Sequence, residues 1–168
     1  HSSHRRQRQM CIRDRLDTAR THVLSTMQVK RTGEPGDSMV LDGVAFEETG
    51  KILINGTPAE DHQVEFTEAG MTLHALPDEF ELTTEVWISP EKNTELSGLY
   101  MSGGRFCTQC EAEGFRRITY WPDRPDVMST FSVRIEADVE FAPTLLSNGN
   151  PGEAGAIDET RHYAEWDD

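Results

Sequence analysis

From residue 16 onward, apolar side chains tend to recur at every second position. Val23, Ser25, Met27 and Val29 alternate with His22, Leu24, Thr26 and Gln28, which predicts a strand with one face more apolar than the other. Gly33-Glu34-Pro35-Gly36 breaks the chain before a short strand at Val40-Leu41. Ile52-Leu53-Ile54 runs into Asn55-Gly56, a hairpin signal because both residues tolerate positive φ. Val64 with Phe66 and Met71 with Leu73 give two shorter alternating pairs. The clearest strand is 80–88: Phe80, Leu82, Thr84, Val86 and Ile88 share one face, and Pro90 ends the run. Leu99-Tyr100-Met101 precedes Gly103-Gly104, and Phe131, Val133 and Ile135 alternate with polar neighbours. Leu145-Leu146 leads to a second turn signal at Asn148-Gly149, and residues 162–166 make a last strand. Helical spacing is confined to a turn or two around 111–117. Short strands with turn signals every ~8–12 residues predict an all-β fold, an antiparallel β-sandwich or barrel. It forms one domain over residues 16–168, expected to be cut short at its C-terminal end because no turn or cap follows Trp166.

Residues 1–15 read differently. They carry five Arg and one Asp, a net +4 in a chain whose total is −14, so the remainder carries −18. With few apolar residues, this stretch is expected to lie outside the fold, as a non-native scar or a disordered basic arm. The acidic remainder lacks the clustered positive charge that nucleic acid or an anionic membrane demands, so neither is expected as a partner. A hydrophobic fraction of 36% suffices for a modest core. No export signal is visible and the three cysteines form no disulfide framework, so a cytoplasmic location is expected.

Candidate chemistry is sparse. Cys107 and Cys110 form a C-x-x-C pair, but no βαβ pattern supports a redox role and no H-x₃₋₅-H spacing supplies further zinc ligands. Ordinary buried thiols are the expectation. On an extended backbone Gln109, Glu111 and Glu113 would share one side, where acidic and amide groups could hold an ammonium by charge-assisted hydrogen bonds, or simply form a solvated acidic edge. Gly103, Gly104 and Gly114 allow sharp turns and close backbone approach around them. The run Trp121-Pro122-Asp123-Arg124-Pro125-Asp126 could form a rigid turn fixed by an Asp–Arg pair, but a loop with two prolines is the favoured reading. G-x-S-x-G, H-E-x-x-H, P-loop and G-x-G-x-x-G motifs are all absent.

Residues 99–127 read LYMSGGRFCTQCEAEGFRRITYWPDRPDV. The motifs G-L-Y-x-S-G-G, F-C-T-Q-C-E-A-E-G-F-R-x-I-T-Y and D-R-P-D-V make the chain resemble the N-terminal domain of the aminopeptidase N family of zinc metallopeptidases, in the bacterial alanyl aminopeptidase branch. Weaker similarity at Thr21 and Val23, at Pro77-Asp78-Glu79-Phe80 and at L-L-S-N-G-N extends it over essentially the whole of 16–168. The resemblance implies a saddle-like β-sandwich packed against a thermolysin-like catalytic domain of the same protein. It also implies removal of single amino acids from peptide N-termini with one zinc ion. By the family pattern Gln109 and Glu111 bind the substrate's free α-amine. The G-A-M-E-N and H-E-x-x-H motifs do not occur in these 168 residues, so the resemblance implies a fragment with substrate-binding residues, no catalytic or metal-binding ones, and no activity of its own. The rival from another class is a stand-alone, non-catalytic β-sandwich binding module.

Overall fold

The computed structural model describes residues 5–32, 36 and 38–168. Among them thirteen strands follow in order: β1 (Arg5–Arg15), β2 (Thr21–Arg31), β3 (Met39–Asp42), β4 (Glu48–Ile54), β5 (Thr57–Pro58), β6 (Val64–Thr67), β7 (Gly70–Leu73), β8 (Glu79–Ile88), β9 (Gly98–Ser102), β10 (Arg105–Gln109), β11 (Thr130–Asp138), β12 (Asn150–Ala156) and β13 (Arg161–Asp167). Eight of them form one sheet in the order β12-β13-β11-β1-β2-β8-β4-β5. A three-stranded sheet, β3-β7-β6, and the β9–β10 hairpin complete the fold. Most of the break read at Gly33-Glu34-Pro35-Gly36 lies outside the described residues.

Period-two patterning accounts for the centre. In β8 the alternating set Phe80, Leu82, Thr84, Val86 and Ile88 is buried and the intervening side chains are half-exposed. Val23 and Met27 of β2 stand opposite Val86 and Leu82, so the register puts apolar side chains beside one another on one face. That face shares a single core with Met39 and Leu41 of β3 and with Met71 and Leu73 of β7. The Asn55-Gly56 turn joins β4 to β5 as its sequence predicts.

Three features differ from the sequence reading. Arg5–Arg15 is not an arm apart from the fold: it is β1, paired antiparallel to β2 and parallel to β11. Met10 and Ile12 are buried, at 0% and 5% exposure. Two apolar residues make too short a period to stand out beside five arginines, but two flanking strands with open hydrogen-bonding edges receive the segment. The large sheet is therefore not wholly antiparallel, and no hairpin signal could announce a parallel contact between residues so distant in sequence. β12 was also illegible. Its sequence, NPGEAGA, has no apolar alternation; it pairs with β13 at the sheet edge, with a register shift between Pro151 and Ala154.

Candidate functional site

The β9–β10 hairpin turns at Gly103 and Gly104, both at positive φ (+56° and +77°), and carries Gln109 at its end. The chain does not stay extended beyond it. Residues 111–114 form turns, the Gly114 amide donates to the Cys110 carbonyl at 2.8 Å, and a short 3₁₀ segment follows at Phe115–Arg117. The Glu111–Ala112 peptide is cis. The single extended face expected for Gln109, Glu111 and Glu113 therefore does not exist. Gln109 instead reaches over the turn, its Nε2 donating to the Glu111 carbonyl at 3.2 Å. Glu113 points back toward Arg116, 3.6 Å away.

Gly114 makes this compact arrangement possible. A Cβ there would stand 2.3 Å from the Gln109 carbonyl oxygen and 2.8 Å from the Ser97 hydroxyl, so no larger residue fits without moving backbone. Phe115 packs edge-on against Trp121 (5.4 Å) and Phe131 (6.0 Å), tying the turn to β11 of the large sheet.

A charged network lies beside it. The carboxylate of Asp123, 7% exposed, accepts from the Arg116 backbone amide (3.1 Å) and from Arg116 Nε (2.9 Å), while Arg116 Nη2 donates to the Asp123 carbonyl (3.0 Å). Asp42, at the end of β3, accepts from the Asp123 amide (3.0 Å) and lies 3.6 Å from Arg116 Nη1. Burial opposes the Arg116 charge, but the Asp123 hydrogen bond and the nearby Asp42 outweigh it and raise the guanidinium pKa. The 121–126 run is thus more than a proline-stiffened loop: its Asp123 is an anchor. Arg116 and Asp123, seven residues apart, carry no local pattern that pairs them, and Asp42, which joins the pair, lies more than 70 residues earlier in the chain.

Cys107 and Cys110 are half-buried free thiols rather than fully buried ones. Burial, with smaller effects of Asp123 and Asp14, pushes the Cys110 thiol up to about 11, so it stays protonated at neutral pH. Among the described residues no group of three or more His, Cys, Asp or Glu side chains is placed to hold a metal ion.

Gln109 and Glu111 are both exposed, and among the described residues no hydrogen bond or ion pair engages the Glu111 carboxylate. With its NH₂ group turned to the Glu111 carbonyl, Gln109 keeps its amide oxygen as an acceptor. A carboxylate and an amide oxygen at one turn are suited to receive the N–H donors of an ammonium group.

Residues 16–168 match the model of the Peptidase M1 N-terminal domain. The chain belongs to that family. It is 53% identical over 153 residues to the aminopeptidase N of Caulobacter vibrioides and 41% identical over 153 residues to that of Escherichia coli, in each case over 91% of this chain. It spans only 18% and 17% of those relatives, about a fifth of their length. The fold superposes on an aminopeptidase A of Legionella pneumophila solved with aspartic acid, with a TM-score of 0.88 and 26% identity over 100% of this chain and 20% of that one. An M1 zinc metallopeptidase mutant of Deinococcus radiodurans, solved with a Tyr-Ser-Ala substrate, shares the fold alone at 15% identity: TM-score 0.80, over 97% of this chain and 39% of the other. The family model identifies an M1 N-terminal domain rather than an unrelated binding module, and its match begins where the charge of the chain changes sign.

Proposed function

We propose that this M1 N-terminal domain serves a zinc aminopeptidase by holding the free α-amine of a peptide substrate at Gln109 and Glu111. The carrying observation is the uncommitted Glu111 carboxylate beside a Gln109 side chain whose amide nitrogen is already engaged. Glu111 supplies the counter-charge and Gln109 a neutral acceptor. A fixed ammonium site sets the distance from the chain end to the bond that is cut, which accounts for release of one residue at a time. The names of the relatives, aminopeptidases and a zinc metallopeptidase solved with amino acid or peptide, support this reading. By the same reading, zinc and the hydrolytic groups belong to a thermolysin-like domain elsewhere in the full-length protein, as the zinc metallopeptidase among the relatives suggests. Residues 1–15 stay outside the proposal, as the family match does not include them. A cytoplasmic location, resting on three free thiols, is part of it and is checked by cell fractionation.

In the complete gene product, Glu111→Gln should lower kcat/KM on an aminoacyl chromogenic substrate about 10–100-fold, because a charge-assisted hydrogen bond is replaced by a neutral one. Gln109→Ala should cost less. An unchanged kcat/KM for Glu111→Gln would reduce the residue to a solvated edge.

A further inference from the structure

Gln109 and Glu111 are exposed, yet the turn that carries them is pinned at one place by a charge pair whose carboxylate, Asp123, is buried and whose Arg116 is half-buried. We infer that Asp123 and Arg116, anchored on Asp42, are positioning residues that set the Glu111 carboxylate for amine binding. This inference rests on the amine-binding reading above.

The geometry has three parts. Arg116 begins two residues after Gly114, so its backbone fixes the exit of the turn that starts at Cys110. The Asp123 carboxylate takes hold of both the backbone amide and the side chain of Arg116, which fixes that residue in position and in orientation. Asp42 then ties the pair to the small sheet: its backbone exchanges hydrogen bonds with Trp121 (2.8 and 3.0 Å), its side chain receives the Asp123 amide, and Val44 donates to the Arg116 carbonyl (3.0 Å). The turn thus hangs between the β9–β10 hairpin on one side and β3 on the other. Buried polar contacts of this kind lose more than their own strength when one member is removed, because the partner is left unpaired away from water. Neither Asp123 nor Arg116 needs to reach a ligand; their effect passes through the backbone from Arg116 to Glu111.

Two inhibitors that differ only in the α-amine, alanine hydroxamate and propionohydroxamate, separate positioning from general support. The complete gene product is used throughout. Glu111→Gln should shrink the Ki advantage of the amine-bearing compound about 10-fold or more, while Asp123→Asn and Arg116→Lys should each shrink it about 5–10-fold with less than about twofold change for propionohydroxamate. Adding Asp123→Asn to Glu111→Gln should cost less than about twofold more, since both act on one interaction. If Asp123→Asn and Arg116→Lys weaken both hydroxamates equally, or leave the advantage intact while Glu111→Gln abolishes it, the positioning role is overturned. If neither variant folds, as judged by a cooperative melt, the pair is structural and the inference fails as well. If Glu111→Gln itself leaves the advantage unchanged, the amine-binding reading is what fails.

Discussion

The centre of the large sheet and the turn at 109–123 are built on opposite terms. At the β2–β8 contact, Val23, Met27, Leu82 and Val86 are all 0% exposed, and each is placed by the same alternation. Losing one leaves the others in register. The turn has no repeating pattern. Gly114, Arg116, Asp123 and Asp42 each do a different thing, and each contact is made once. The sheet is stabilised by many small, interchangeable terms, whereas the turn is shaped by a few specific ones. Damage to the sheet should therefore appear as lost stability, and damage to the turn as a misplaced carboxylate at modest cost in stability.

The severest break of the sheet is removal of residues 1–15. Without β1 the ladders of β2 and β11 lose their shared partner and Met10 and Ile12 leave the core, so cooperative urea unfolding of the 168-residue chain should disappear. A melt that stays unchanged on deletion would show β1 to be dispensable. Next comes Leu82→Ala, expected to cost about 2–5 kcal/mol in urea denaturation for a fully buried leucine. In the complete gene product it should leave the preference for amine-bearing inhibitors unchanged. Gly114→Ala reverses the emphasis. Its cost should be about 1–3 kcal/mol, from a methyl forced against the Gln109 carbonyl, yet the amine preference should fall. Equal loss of preference in Leu82→Ala and Gly114→Ala would erase the contrast between the two regions.

The smallest effect is one of pH. Glu136 of β11 is 4% exposed; burial alone would raise its pKa, but hydrogen bonds from Arg134 (2.9 Å) and Arg13 (2.7 Å) hold it below the ordinary glutamate range. Because the folded value lies below the unfolded one, this stabilisation is complete above about pH 4.3 and fades as pH falls through the folded value. Wild type should lose more stability than Glu136→Gln between pH 5 and the acid end of urea titrations, at about pH 3. Parallel curves would show that the two arginines contribute nothing that depends on the Glu136 charge.

Most strands were legible because burial on one face of a sheet forces a period of two, and 80–88 shows it side chain by side chain. The hairpin at Asn55-Gly56 followed from its turn residues. Gln109 and Glu111 were singled out through the motif that carries the family resemblance; the shared extended face expected for them gave way to a tight turn and a hydrogen bond, and their amine-binding role is the proposal made above. β1 and β12 escaped because neither carries the pattern that its position in the sheet would have required.

What the sequence determined by itself was therefore whatever local chemistry dictates: alternation, turn residues, the sign of the charge and a motif long enough to mark a family. Tertiary structure decided the rest. It ran β1 parallel to β11, admitted a strand of Gly and Pro at an edge, and brought Asp42 to Asp123 and Arg116. Those outcomes depend on which backbone edges are left open and which buried charges need a partner, and both conditions exist only once distant parts of the chain have met.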